Sequence, residues 1–583
     1  VNLNSCLYWI YFVISKSNVL FIFKQKNILQ ILLIFICIIP FISGLDSIPP
    51  LDRDESRFTQ SSYQMIQSND YININFQDEI RAKKPIGIYW IQVASATIFG
   101  ADKISSYRIP SIIAAFVSLI TLWFFSKTLF GVKVSLLITL FFATNLLFVS
   151  EAHIAKTDTV LLSTICLQQY LLFLIFLNKE SNLKFNYIIP TIMWILFSIG
   201  VLIKGPISLI IFSLTVISFS IIKKNISFFL KTKPFIGLLV GCIIILPWFL
   251  IVQEATGGMF LQKSLGEDFI PKLISQQEGH GAYPGFYILI SSLILWPIAC
   301  FIPISIFFVL DKKNNIAIQF LLCWIIPYWI VLEFVPTKLI HYPLPIIPPL
   351  IMLVSASILF YEKKQIKLSN IKFKNIVFAL STLLGLGGII LGIIILLLAL
   401  KFGKDDDYLV ILISIVTLLL IIIVFFLTSF KNFMLIYKKD IIMNFLKIFQ
   451  KVKSLNLIII LSSCVYLCIF GFVLPKLSKL YPSQNIYNKL KTIKYDTLSV
   501  IGYHEPSLVF LLKGNVILSN PNEGAIFLAE GKNNLVLIEE RQLESFKSSA
   551  KNLDLNLKEV TDIEGYNYSK GNNIKIFFYK TIH

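Results

Sequence analysis

Long apolar segments recur along almost the whole chain, and they constrain its fold more than any other feature. A membrane-spanning helix needs about 20 mostly apolar residues. Segments of roughly that length lie at 28–45, 109–130, 132–150, 159–177, 187–203, 206–222, 234–253, 286–310, 316–335, 339–361, 376–401, 409–430 and 455–474. The sequence therefore predicts a mainly α, polytopic membrane protein with about 13 transmembrane helices.

Composition excludes the common soluble classes. The 583 residues are 56% hydrophobic and only 15% charged, with a mean hydropathy of +0.76, which does not suit a soluble globule with a water-facing surface. The net charge of +19 would suggest a nucleic-acid partner in a soluble protein. Here most lysines lie in short runs between apolar segments, as the positive-inside rule requires, so we expect no nucleic-acid binding. The cysteines lie in apolar stretches and predict no disulfide framework.

The basic loops predict a topology. If the chain around Lys24 is cytoplasmic and residues 86–99 lie along the membrane, every lysine-rich loop falls on the cytoplasmic side. Counting 86–99 as a crossing would reverse the loops after residue 130. We therefore expect a juxtamembrane helix within a first outer loop, 46–108, on the face of the membrane opposite the basic loops. The same face should receive the connections 151–158, 204–206, 254–284 and 405–407 and the turn around 338.

The ends of the chain differ from its middle. The tail 475–583 predicts a small α/β domain on the same outer face, which acts as a lid, an acceptor-docking module or a stabilising module. Its expected elements are strands at 498–502, 516–519 and 534–538, helices at 506–513 and 541–550, and a hairpin at 566–580. Residues 361–474 add further transmembrane helices. Because the chain begins with Val1, residues 1–27 are expected to be either cytoplasmic or an extension from a wrong start site.

Two groups of charged residues on the outer face suggest chemistry. In the run Asp52-Arg53-Asp54-Glu55-Ser56-Arg57, the acids suit a general base or a metal ligand and the arginines suit an anion; the alternative is a solvated helix N-terminus. Lys83-Lys84-Pro85 closes the same loop, and Lys204 stands between two apolar segments. A lysine at the lipid edge is a natural partner for a phosphate whose tail lies in the bilayer. The alternative for Lys204 is an interfacial anchor.

These motifs occur in a family-like order. The elements are D-E-x-R-aromatic at 54–58, K-P at 84–85 before I-Y-W-I-Q at 88–92, R-x-P at 108–110, A-K-T-D at 155–158, L-I-K-G-P at 202–206, E-G-H-G-A-Y-P-G at 278–285 and K-L-I-H-Y-P-L-P at 338–345. The arrangement resembles the GT-C membrane glycosyltransferases of the protein mannosyltransferase and aminoarabinose transferase superfamily. The resemblance covers residues 28–360, which it marks as the catalytic membrane module.

The resemblance implies an activity and a set of site residues. Such enzymes pass a sugar from a polyprenyl-phosphate carrier to lipid A, another glycan or a protein on the periplasmic face. By resemblance, Asp54 is the essential acid with Glu55 and Arg57 in its support, Lys84 and Lys204 hold the carrier phosphate, and Asp158 lines the cavity. The resemblance also implies an inner (plasma) membrane, with the active site and the tail domain on its periplasmic side. The full set of expected substrate-binding residues is Glu55, Arg57, Lys84, Asp158, Lys204, Lys338, His341 and Tyr342. For the last three, the alternative is an aromatic belt with a helix cap.

Some choices stay open in the sequence. Lys83 and Ile86 replace an acid and a proline of many relatives, and although Glu278 and His280 could bind a divalent ion, we expect no metal and no cofactor. An amino sugar such as aminoarabinose on lipid A is the first expectation, and protein O-mannosyltransferase-like activity is an alternative. A transporter or flippase of a lipid-linked substrate would instead place ionisable residues mid-span in two related halves, and a non-catalytic assembly partner is a third class.

Overall fold

A computed structural model describes residues 28–583 except 82, 179–182, 278, 280, 365, 367–370, 405–406, 438–453, 532 and 583. The predicted N-terminal extension, 1–27, and the residues Glu278 and His280 thus lie outside the described part of the chain.

The described residues fold mainly into long apolar helices. Those with the length and composition of a membrane span are Ile104–Phe130, Thr157–Leu177, Phe185–Lys204, Pro234–Ala255, Ile316–Phe334, Leu344–Lys363, Ile371–Phe402, Tyr408–Ile436 and Ser454–Lys476. Two bent pairs, Val132–Ala143 with Leu146–Ala152 and Phe286–Ile294 with Ala299–Asp311, turn by 60° and 120°. Gln30–Ile42 and Ile207–Lys223 are shorter apolar helices. Each of the thirteen predicted segments falls on one of these elements, and the prediction of a mainly α multi-pass membrane protein is confirmed.

The first predicted outer loop carries two helices. Asp54–Ser68 begins with two acids, which stabilise the positive end of the helix dipole, and ends at Asn69 in the left-handed conformation. A short antiparallel pair, β1 (Asn75–Phe76) and β2 (Glu79–Ile80), follows. The helix Gly87–Phe99 has 13 residues, about 20 Å, which is less than the roughly 30 Å of a bilayer core. It therefore suits the juxtamembrane position that the topology predicts.

Gly87 explains how two lysine-bearing segments meet. A Cβ at this residue would lie 2.7 Å from the Leu202 carbonyl oxygen, so only glycine allows the helix Gly87–Phe99 to approach the end of the helix Ile189–Lys204 this closely. Lys84 precedes the first helix and Lys204 ends the second. The close packing thus brings both lysines to one region.

The tail forms the predicted α/β domain. Its sheet has the order β4-β3-β5-β7-β6, from β3 (Leu498–Ile501), β4 (Ile517–Ser519), β5 (Leu535–Glu539), β6 (Leu557–Asn567) and β7 (Asn572–Thr581). β3 is parallel to β4 and β5, whereas β7 is antiparallel to β5 and β6. The helices are Pro482–Leu490, Pro506–Leu511, Pro521–Glu530 and Leu543–Asn552.

Two details of the tail differ from expectation. The hairpin starts at 557 rather than 566, because β6 is much longer than predicted. The helices Pro482–Leu490 and Pro521–Glu530 were not predicted, although the second has a local signal. Asn520 and Glu523 form a capping box, and Pro521 occupies the first turn.

Candidate active site

A charged cavity lies where the first predicted outer loop, the start of the helix Thr157–Leu177 and the turn 337–342 meet. It encloses about 1020 Å³, part of it open to solvent. Its walls are formed by Arg53, Asp54, Arg57, Phe58, Arg81, Lys83, Lys84, Lys156, Thr157, Asp158, Lys204, Asp268, Lys272, Gln277, Thr337, Leu339, His341 and Tyr342. Eight of these residues are Lys or Arg and only three are Asp, so the cavity attracts anions.

An apolar cleft continues from this cavity, with about 860 Å³ of empty space that includes open solvent. The two share Lys84, Asp158, Lys204, Asp268, Lys272, His341 and Tyr342. The other walls of the cleft are Leu161, Ile207, Ile210, Phe269, Leu273, Tyr328, Val331, Leu332, Val335, Leu344 and Pro345. Positive charge at one end and hydrocarbon at the other suit an amphiphile with an anionic head.

Asp54 is the first residue of the helix Asp54–Ser68 and is exposed in the charged cavity. Its carboxylate makes no hydrogen bond or ion pair within the described part of the chain. The Asp54 charge contributes to raising the pKa of Lys156. Arg57, one turn further along the helix, is half-buried and lines the same cavity. The Asp54 carboxylate is thus available to a bound molecule.

One carboxylate joins two lysines at the mouth of the cleft. Lys84 Nζ lies 2.6 Å from Asp268 Oδ2, and Lys272 Nζ lies 2.7 Å from Asp268 Oδ1. Burial lowers the pKa of Lys84, although Asp268 opposes that shift. Burial would raise the pKa of Asp268, but the two lysines outweigh it and the pKa is lowered. The Asp268 carboxylate is therefore ionised at neutral pH.

Asp158 is the centre of a second cluster. Lys204 Nζ lies 2.5 Å from Asp158 Oδ1, and Lys156 Nζ lies 3.7 Å from Oδ2. Lys156 also pairs with Glu151 at 2.9 Å. Burial lowers the pKa of Lys156, but Glu151 and Asp158 outweigh it and the pKa lies above its ordinary value.

His341 lies against this cluster as a neutral imidazole. Its Nε2 is 3.8 Å from Asp158 Oδ1, and its Nδ1 is 3.4 Å from Lys156 Nζ. Burial holds its pKa well below the ordinary value; Asp158 opposes the shift, while Lys156 and Lys204 add to it. The next residue, Tyr342, places its ring 6.0 Å from Lys204 Nζ. Both side chains line the cavity and the cleft.

Glu55 lies behind the cavity wall and not in it. Only 1% of the residue is exposed, and its oxygens accept hydrogen bonds from the Arg108 guanidinium at 2.8 and 2.9 Å and from the backbone N–H groups of Leu51 and Ala155. This saturated environment leaves no atom for a substrate. The substrate contact predicted for Glu55 is therefore corrected, and we propose a positioning role instead.

Lys338 is also turned away from the cavity. Its Nζ donates to the carbonyl oxygens of Leu332 at 2.6 Å and Glu333 at 2.7 Å, at the end of the helix Ile316–Phe334. Burial lowers its pKa. The alternative interpretation of this lysine, a helix cap, agrees with the structure, whereas the predicted substrate contact does not.

Known proteins resemble the chain in sequence and in fold. Residues 83–251 match the family described as dolichyl-phosphate-mannose-protein mannosyltransferase. An uncharacterized protein of Aquifex aeolicus is 24% identical over 331 residues, which are 57% of this chain and 64% of that protein. The undecaprenyl phosphate-alpha-4-amino-4-deoxy-L-arabinose arabinosyl transferase 2 of Proteus mirabilis is 22% identical over 334 residues, 57% of this chain and 60% of that protein.

The fold comparison extends over nearly the whole chain. The crystal structure of ArnT from Cupriavidus metallidurans bound to undecaprenyl phosphate superposes with a TM-score of 0.71 at 14% identity, covering 94% of this chain and 97% of that one. Together with the sequence matches, this shared fold confirms the resemblance to the GT-C glycosyltransferases inferred from the motifs. The sequence matches span less than two thirds of the curated relatives' own length.

Sequence reasoning did not assign the cavity residues Arg81, Lys156, Asp268 and Lys272 to the site. Arg53 and Lys83 also line the cavity; their motifs were interpreted as anion or phosphate ligands, but neither residue was in the expected substrate-binding set. Lys156 lies within the A-K-T-D motif and between two acids, Glu151 and Asp158, and this position could have indicated that it belongs to the site. Asp268 and Lys272 are four residues apart, the spacing of a helical ion pair, but nothing local indicates that Lys84 joins them from 184 residues away.

A metal ion would need several His, Cys, Asp or Glu side chains close together. Among the described residues, no three His, Cys, Asp or Glu side chains are grouped so as to hold a metal ion. The pair named from the sequence, Glu278 and His280, is outside the residues that the structure describes.

Proposed function

We propose that the protein is an integral-membrane glycosyltransferase that moves a sugar from a polyprenyl-phosphate carrier to an acceptor on the periplasmic face of the inner membrane. The observation that carries this proposal is the direct continuity of the lysine-rich cavity with the apolar cleft. The cleft suits the prenyl chain and the lysines suit the phosphate. The acid Asp54 lines the same cavity.

Lys84 and Lys204 are the proposed phosphate ligands. Both line the cavity and the cleft, so they lie at the boundary where a lipid phosphate would sit. Each already contacts a carboxylate, Asp268 or Asp158, which orients the ammonium group before a ligand arrives. Such pre-orientation lowers the cost of binding, and ammonium groups in a partly dry site stabilise phosphate charge strongly.

The proposed reaction is a single displacement at the sugar C1. An acceptor oxygen forms a bond to C1, the bond from C1 to the phosphate oxygen breaks, and the phosphate leaves with that electron pair. Lys84 and Lys204 stabilise the departing charge. Asp54 takes the proton of a hydroxyl acceptor, whereas an ionised phosphate acceptor needs no base. Inversion at C1 is the expected outcome.

Lipid A is the proposed acceptor and an aminoarabinose-like amino sugar the proposed group. The sugar is supported by the similarity to the Proteus mirabilis enzyme, whose name gives that sugar on undecaprenyl phosphate. Lipid A is the acceptor that the motif resemblance implies. A protein acceptor is the second candidate, supported by the family match of residues 83–251. For a flippase, ionisable residues should occur mid-span, but the charged side chains of this site cluster at one end of the helices.

Mass spectrometry of lipid A tests the acceptor. Gram-negative cells that lack their own transferase but make polyprenyl-phosphate sugars would express this chain, with the Asp54→Asn variant as the matched control at equal membrane levels. We expect a mass increment of one sugar with the native chain alone. Unchanged lipid A in both strains would refute lipid A as acceptor and direct the search to glycoproteins and core glycans.

Removing a single phosphate-binding lysine should weaken donor binding. A hydrogen bond to a charged group contributes about 1.5–3 kcal/mol, so Lys84→Met should raise the KM for the polyprenyl-phosphate sugar by about 10-fold or more. Lys83→Met is the matched control, because Lys83 lines the cavity but not the cleft. Steady-state kinetics with purified donor would measure both. Equal increases in KM for the two variants would contradict the placement of the phosphate.

A further inference from the structure

The two residues before Asp54 are bound by the C-terminal domain. The Asp52 N–H donates to Tyr568 Oη at 2.5 Å, and Arg53 Nη2 donates to the Ser569 carbonyl oxygen at 2.7 Å. The Ser507 N–H donates to Asp52 Oδ1 at 3.1 Å. The C-terminal domain, which is distant in sequence, thus forms hydrogen bonds with the two residues directly before the proposed catalytic acid, Asp54.

Arg53 has a backbone conformation that few residues other than glycine adopt. Its φ is 68° and its ψ is −109°. Such a conformation costs free energy in an L-residue with a side chain, and it persists only where surrounding contacts impose it. The contacts available to impose it come from Tyr568 and Ser569 on one side. On the other side, Glu55 is fixed by Arg108. Asp54 lies between these two anchored points.

Hydrogen bonds within the C-terminal domain hold the residues that contact Asp52 and Arg53. Asn567 Nδ2 donates to Glu505 Oε1 at 2.7 Å, and Asn567 Oδ1 accepts from the Ser569 N–H at 3.0 Å. Ser507 Oγ lies 2.6 Å from Ser483 Oγ, which lies 2.9 Å from the Tyr503 hydroxyl. Because these buried bonds stay within the domain, Tyr568, Ser569 and Ser507 are presented in one arrangement.

We propose that the C-terminal domain is part of the active site: Ser507, Tyr568 and Ser569 are positioning residues that hold Asp52 and Arg53 so that Asp54 faces the cavity. The inference rests on the proposed function, in which Asp54 is the acid of the transfer reaction. It assigns the domain a role in catalysis, beyond the lid, docking or stabilising roles that the sequence left open.

A pair of tyrosine variants separates positioning from simple stability. Tyr568→Phe removes the acceptor of the Asp52 N–H, whereas Tyr579→Phe removes a hydroxyl that binds Glu559 within the same domain. The free energy of one hydrogen bond corresponds to about a 3- to 10-fold change in a rate or equilibrium constant. We expect Tyr568→Phe to lower kcat by that factor with the donor KM within about 2-fold, and Tyr579→Phe to change neither. Equal kcat for both variants would overturn the inference.

Hydrogen–deuterium exchange gives a readout that needs no turnover. Tyr568→Phe should speed exchange at the amides of residues 51–55, and Tyr579→Phe should not. If the native chain transfers no sugar, the proposed function fails, and the exchange data still decide whether the domain holds this segment. If the native chain is active and neither variant alters residues 51–55, the inference fails alone.

Two substitutions at Arg53 test the backbone conformation directly. Arg53→Ala and Arg53→Gly both remove the guanidinium, but only glycine adopts a φ of 68° without strain. If this conformation presents Asp54, the glycine variant should retain a kcat about 3-fold or more above that of the alanine variant. Equal kcat values, or a higher value for alanine, would show that the left-handed backbone does not serve the reaction.

The contact should also depend on pH. Burial raises the pKa of Asp52 to about 7, with Glu505 adding to the shift and Ser507 and Arg53 opposing it; the phenols of Tyr503 and Tyr568, which also face it, stay neutral in this range. A raised carboxyl pKa means that Asp52 binds its proton more tightly when it contacts the C-terminal domain than when it does not. The contact should therefore weaken as the pH rises from about 4 to 7 and then stay constant.

Asp52→Asn keeps an oxygen for the Ser507 N–H but cannot ionise. Exchange at residues 51–55, corrected for intrinsic rates, should accelerate between about pH 5 and pH 7 in the native chain and stay constant in this variant. The same acceleration in both proteins would exclude Asp52 as the titrating group.

Discussion

Replacing Asp54 with asparagine should nearly abolish sugar transfer to a hydroxyl acceptor. General base catalysis contributes about 10²- to 10⁴-fold, and asparagine cannot accept the proton, so kcat should fall by that factor. The donor KM should change little, because the proposed phosphate ligands Lys84 and Lys204 stay in place. Asn fits the same space at the helix N-terminus, so the fold should be retained.

Transfer of labelled sugar by purified protein would measure this effect. Asp78→Asn is the matched control, since Asp78 is exposed in the turn between β1 and β2 of the same loop. If the Asp54→Asn variant kept the native kcat, Asp54 would not be the general base. That result would favour an acceptor that is already ionised.

Breaking the Glu55–Arg108 pair should produce the largest loss of stability. Both side chains are about 1% exposed, and Arg108 also donates to the carbonyl oxygens of Leu45, Ile48 and Pro49. Removing one partner of a buried pair costs about 3–5 kcal/mol, because the other charge is left uncompensated. We expect Arg108→Met to lower the Tm strongly or to prevent accumulation of folded protein.

Thermal unfolding in detergent would compare this variant with Arg541→Met. Arg541 also pairs with a buried glutamate, Glu539, but is itself 56% exposed, so its loss should cost little. The double variant Glu55→Gln/Arg108→Gln should be more stable than Arg108→Met, because no charge remains buried. Similar Tm values for Arg108→Met and Arg541→Met would contradict the anchoring role of the pair.

Neighbouring residues show where sequence reasoning stops. Asp54 and Glu55 were assigned to one site, but the first faces the cavity and the second is buried behind it. Successive residues of a helix point about 100° apart, and only the packing of the loop decides which direction is the cavity. Lys338 and His341 differ in the same way: one caps a helix and the other lines the cavity.

The sequence by itself determined the membrane class, the helical segments, the α/β tail and the approximate place of Lys84, Asp158 and Lys204. These follow from short-range signals: apolar length, strand and turn patterns, and charges beside the ends of spans. Only the tertiary structure decided that Asp268 joins Lys84, that Glu55 is an anchor, and that Ser507 and Tyr568 reach Asp52. Those pairings join residues far apart in the chain, and their geometry depends on how whole helices and domains pack, which no local pattern encodes.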